Sequence, residues 1–146
     1  MNAEVFNAIC ARLGEIADLK YVDFDEGQLN IAGERPPVAF PCCLIDIAYS
    51  DCKDLDEEEQ LITAAVTIKL GFVPMGETRV GVPEAIKTRA LTVFNTIGKV
   101  HDSLQGFTGN ELFSPMSRKR ATPSTRADKV KVYTIVYNTT FREYVE

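Results

Sequence analysis

A chain of 146 residues, 45% hydrophobic and 25% charged, has the size and composition of one globular domain spanning 1–146, which excludes a disordered, low-complexity or fibrous protein. A net charge of −5, from 16 basic and 21 acidic residues, argues against general binding to nucleic acid or to an anionic membrane surface. There is no apolar run of the roughly 18–20 residues a membrane span needs, and the acidic start Met1-Asn2-Ala3-Glu4 lacks the apolar core of a secretory signal, so the expectation is a cytosolic protein.

Val5, Phe6, Ile9, Leu13 and Ile16 recur at steps of three and four, the spacing that lays one apolar stripe along a helix over about 3–18, with Asn2 as its N-cap. Asp25-Glu26-Gly27 reads as a turn before a short extended stretch at 28–32. Pro36, Pro37 and Pro41 bracket the apolar run 38–48, where Cys42 and Cys43, as neighbours in a strand, point to opposite faces. Between Ile62 and Phe72 apolar residues alternate with Thr63, Ala65, Thr67, Lys69 and Gly71, the period of a sheet with one buried face. The acidic segment Asp51–Glu59 between these strands reads as a long exposed hairpin loop.

Pro83 and Glu84 suit the first turn of a helix, and Ile86, Ala90, Val93, Phe94, Ile97, Val100 and Leu104 carry it to a stop at Gly106. Leu112–Met116 reads as the start of a further strand. The β-branched and aromatic run Val130–Phe141 completes a second hairpin, whose extended basic part covers 112–131. The predicted fold is α+β, in the order α-β-β-α-β-β, with an antiparallel sheet of two hairpins packed against two helices.

No residue pattern specifies chemistry. His101 is the only histidine, set beside Ile97 and Leu104 on the helix wheel, where it reads as a residue at the core margin. Cys10, Cys42, Cys43 and Cys52 lack the paired spacing of a zinc site or a disulfide framework and are expected to be reduced thiols. Asp54, Asp56 and Glu58 alternate as in a calcium loop, but Glu59 stands where glycine is needed and Ala65 where the closing acid belongs. Gly76 and Gly81 have the separation of a phosphate-binding loop, yet Val82-Pro83 replaces its lysine and hydroxyl residue. The expectation is a protein without catalytic residues, metal or cofactor. The alternative is a small cytosolic thiol-dependent enzyme or ligand-binding module using one of the cysteines.

Charge is distributed unevenly. Arg118, Lys119, Arg120, Arg126, Lys129 and Lys131 face Asp128 alone, so 118–131 carries +5 on a body of −10. The segment has no aromatic residue to stack on bases, and the acidic body repels phosphates, so direct nucleic-acid binding is disfavoured. Asp54, Asp56, Glu57, Glu58 and Glu59, with Asp51, form an acidic counterpart. A basic arm of one copy on the acidic loop of the next gives a head-to-tail contact that can close a ring.

The order of elements over nearly the whole chain, with Val38-Ala39-Phe40-Pro41 leading into a strand, the 61–73 strand, the long helix after Val82-Pro83 and the final hairpin ending in Val132–Phe141, resembles the phage tail-terminator or tail-completion proteins of the minor tail protein U and neck-protein type. The resemblance implies a ring of subunits, commonly a hexamer, that stops growth of the tail tube and meets the head connector. It implies no catalysis and no cofactor. Tail-tube and head-connector proteins are then its partners, and its place is the bacterial host cytoplasm during assembly and the virion tail afterwards. The four cysteines and the acidic segment 51–59 have no counterpart in that resemblance.

Overall fold

The computed structural model of the chain describes residues 2–30, 36–73, 80–81 and 83–145, apart from the side chains of Ile86 and Arg89. Helix α1, Ala3–Gly14, begins where Asn2 accepts hydrogen bonds from the amides of Glu4 and Val5, and it buries Val5, Ile9 and Leu13. It ends before the predicted residue 18. There the amides of Ile16 and Leu19 turn to the carbonyls of Leu13 and Ile16, three residues back, so the apolar spacing continues through turns rather than through helix.

Strand β1, Tyr21–Phe24, lies beside β2, Cys42–Asp54, and the two run parallel. β1 carries no periodic signal in the sequence, its residues being partly covered at Tyr21 and Val22 and exposed at Asp23 and Phe24. The predicted extended stretch at 28–32 lies on a turn at Gln28–Leu29, with 31 and 32 outside the described residues. β2 pairs with β3, Glu59–Phe72, through Asp54↔Gln60, so the acidic segment is mostly ladder and only Leu55–Glu58 turns. The expected long loop is therefore two strand ends joined tightly, held by the Leu55 amide on the Glu59 carbonyl at 2.9 Å.

Helix α2 spans Glu84–Leu104, with Pro83 at the N-cap position rather than inside the first turn. Gly106 follows at φ 78°, a left-handed conformation suited to glycine at a helix stop. Leu112–Met116 is not strand: it is a loop that sinks Phe113 and Met116 into the core. β4, Ser117–Thr125, and β5, Lys131–Tyr144, form the second hairpin. The α+β class stands, while the order is α-β-β-β-α-β-β and the sheet, β1-β2-β3-β5-β4, is mixed because of the parallel β1.

One sheet face carries Cys43, Ile45, Ile62, Val66, Ile68, Leu70, Ile135 and Tyr137 beneath Val5, Ile9 and Leu13 of α1 and Val93, Val100 and Leu104 of α2. Full burial of each such side chain is worth about 1.5–3 kcal/mol, so this layer dominates stability. On the opposite face Cys42, Leu44, Val130 and Val132 are covered at one end by Leu29, Val38 and Phe40 from the connection between β1 and β2. Lys69 of β3 meets Asp25 at 3.3 Å, and Arg126 donates to the Leu29 carbonyl, tying down the first part of that connection.

Candidate subunit interface

Strand polarity fixes where the charged segments lie. β3 runs from Glu59, opposite Tyr144, to Phe72, opposite Lys131, so the acidic turn and the β4–β5 turn stand at opposite ends of the sheet. At about 3.4 Å per residue those ends are roughly 45 Å apart. β2 and β4 are also separated laterally by β3 and β5.

The six cations do not form one cluster. Arg118, Lys119 and Arg120 begin β4, beside Tyr137 and Val136, where a bulge between Arg118 and Arg120 shifts the register; Lys119 and Arg120 are exposed. Arg126, Lys129 and Lys131 occupy the turn half of the hairpin, where the side chains of Arg126 and Lys131 have partners within the chain and that of Lys129 is exposed. Arg126 contacts Asp128 at 3.2 Å and the Leu29 carbonyl, and its side chain is only 14% exposed. The amide of Lys129, at φ 71°, donates to the Arg126 carbonyl, and Lys131 donates to Thr125 Oγ1 while lying 5.9 Å over the Tyr133 ring.

The acidic residues divide in the same way. Asp54 accepts from Gln60 Nε2 at 2.8 Å, and Glu59 is paired with Arg142 at 3.1 Å with its side chain mostly buried. Asp56 accepts from the Glu58 amide and so shapes the turn. Glu57 and Glu58 are exposed at the tip, and Asp51 is exposed along the ladder. Exposed charge outside these contacts lies at Arg118–Arg120 and Lys129 on one side, and at Asp51 and Asp56–Glu58, with Lys53 among them, on the other.

Sequence reasoning missed the state of the sheet edges, because pairing partners are not written in a strand's own residues. β1 covers β2 only from Cys42 to Ile45, and among the described residues no strand pairs with its outer side from Asp46 to Asp54. β4 closes the other margin. Only its start is occupied, where the Arg118 amide donates to Gln105 Oε1 at 2.9 Å, and among the described residues no strand pairs with its outer side from Lys119 onward.

The groups weighed for chemistry lie elsewhere. His101 Nδ1 is 2.9 Å from the Tyr137 hydroxyl, and burial, followed by the nearby Arg118, holds its pKa below the usual histidine value. Burial pushes Tyr137 up to about 12 and the Cys42 thiol to about 11, raises Cys43 further, and raises Cys10. Such thiols stay protonated near neutral pH and are poor nucleophiles. Cys52 is exposed on the open stretch of β2. Among the described residues no group of three or more His, Cys, Asp or Glu is placed to hold a metal ion, and no helix is long and apolar enough to cross a membrane. The glycine loop at 76–81 falls mainly outside the described residues. No protein-family model matches the chain, and no curated protein matches it.

Proposed function

We propose that the protein is a structural subunit of a phage or prophage tail, which associates head to tail into a ring that ends the tail tube and joins it to the head connector. One observation carries the reading: the unsatisfied acidic and basic segments sit on opposite margins of a single rigid sheet, with β3 and β5 between them, so they cannot neutralise each other within one chain. They can do so between copies, and a contact between two different surfaces repeats until a ring closes. The subunit acts by being bound, first in the host cytoplasm and then in the virion tail, and needs no reactive side chain.

Light scattering over rising concentration and falling salt tests this. A discrete ring that weakens with salt and co-sediments with purified tail tubes is the expected result. A strict monomer under every condition, with no tube binding, overturns it. Arg118→Glu, Lys119→Glu and Arg120→Glu together should abolish the ring without unfolding the chain, since all three are exposed.

A further inference from the structure

We infer that neighbouring copies join by strand addition, the outer edge of β4 pairing with the open stretch of β2 in the next copy to make one continuous sheet around the ring. The inference rests on the ring reading and names the surface that builds it. Strand direction permits the pairing. β2 and β5 run one way and β3 and β4 the other, so a copy that keeps the same strand axis brings β4 against β2 antiparallel. An edge with unpaired amides and carbonyls is a template for such addition.

The register is constrained as well. Laterally adjacent residues share a face, so the shift between copies along the strand axis must be an even number of residues. With no shift, β4 would meet β2 where β1 already lies. A shift of about six residues toward the acidic turn seats Thr125 beside Ile47, beyond the stretch that β1 covers, and Ala121 beside Cys52. Arg118 then stands opposite Asp54, next to the Asp56–Glu58 turn, while Arg120 lies opposite Lys53 and diagonal to Asp51. Pro123, which has no amide hydrogen to offer, falls beside Tyr49 at the β2 bulge, where the ladder is already interrupted. Such a shift is about 20 Å against four strand spacings of about 4.8 Å each, which inclines the strands by roughly 45°, at the upper end of the tilt found in closed barrels.

Cys52 supplies the test, on the full chain in its assembled state. In Ala121→Cys, oxidation by copper phenanthroline, which takes up the two electrons as the two thiols lose their protons, should give a ladder of linked subunits on a non-reducing gel. Cys52→Ser in the same chain should erase that ladder. Arg118→Cys reports a shift of four instead, and a Cys52-dependent ladder from it upholds edge pairing in that register. Both variants replace residues at the sheet margin, and circular dichroism checks that they fold. A ring of unchanged mass in which neither variant links through Cys52 overturns edge pairing and leaves the ring reading standing, whereas a strict monomer without tube binding sinks both.

Discussion

Gly71 offers a sharp test of how the two sheet faces are packed. It sits opposite Cys42 in the β2–β3 ladder, and a Cβ built on it would stand 2.7 Å from Cys42 Sγ and 3.3 Å from both Leu29 Cδ1 and Phe40 Cε1. An ordinary carbon–sulfur contact lies near 3.5–4 Å, so in Gly71→Ala the sulfur must retreat by about 1 Å. It has little room to do so, because Cys42 is fully buried among Leu29, Leu44 and Phe40. Overpacking of this kind costs about 1–3 kcal/mol, and the loss of glycine's freedom in the unfolded chain returns roughly 0.4–1 kcal/mol. The net expectation is about 1–2 kcal/mol of destabilisation, read in urea as a midpoint lowered by roughly 0.5–1 M at unchanged slope. Combining Gly71→Ala with Cys42→Ala lets the new methyl occupy the space left by the sulfur, so the double variant should be more stable than the sum of the singles by about 1 kcal/mol or more. A Gly71→Ala protein as stable as the parent, or strict additivity with Cys42→Ala, refutes the packing argument.

Removing the α1 cap by Asn2→Ala frees the amides of Glu4 and Val5, now bonded at 3.0 and 3.2 Å, and should cost about 1 kcal/mol in thermal or urea unfolding. Asp18 accepts from Lys99 and Thr96 at 3.0 Å, and these bonds hold its carboxyl below the usual value. Its contribution is complete above the unfolded carboxylate pKa of about 3.9 and is lost as pH falls through the lower folded value. In Asp18→Asn the acid side of the stability profile should flatten by at most about 1 kcal/mol, since the pair is partly exposed. Because burial and Arg118 both depress His101, its neutral form supports the fold above a pH of about 6.5, and that support is lost as pH falls through the folded value. In Arg118→Glu the single histidine should titrate at a higher pH by NMR, and an unmoved titration curve would remove Arg118 from its surroundings.

Elements with a strong period were legible in the sequence. Ile62 to Phe72 alternates with such regularity that β3 is read almost residue for residue, and the opposed faces of Cys42 and Cys43 follow from the same rule, one thiol joining the helix-covered core and the other the second cluster. β1 was not legible, since Tyr21–Phe24 is held by its parallel partner and by the turn before it rather than by any pattern of its own. The acidic segment misled for a related reason. Asp51 and Asp54 are poor strand formers, yet each lies opposite β3, and the pairing of Asp54 with Gln60 and of Glu59 with Tyr144 outweighs propensity. At the candidate interface, composition located both charged segments but not which charges were already satisfied: Arg126 and Glu59 looked equivalent to Arg120 and Glu57 until Leu29 and Arg142 were seen to hold them.

A sheet that leaves two edges open must avoid pairing with whatever strand it meets, and the residues on these edges act in that sense. Lys119 and Arg120 on β4, and Asp51 and Asp54 on β2, disfavour a second identical edge in the registers that oppose them, and Pro123 offers a partner strand no amide hydrogen. β4 against β2 sets Arg118 against Asp54 instead, with Arg120 and Lys53 the one like pair opposed. On the ring reading proposed above, the same charges weigh against two-fold dimers joined edge to edge and favour the heterologous contact, which is the one that propagates. Reversing one edge alone should leave every edge pairing repelled. Reversing both, with Arg118→Glu, Lys119→Glu and Arg120→Glu beside Asp51→Lys, Asp54→Lys and Asp56→Lys in one chain, should restore a salt-sensitive ring of the original mass by sedimentation. Failure of that doubly reversed, folded protein to assemble where the parent does would mean that the charges serve some other purpose than choosing the partner edge.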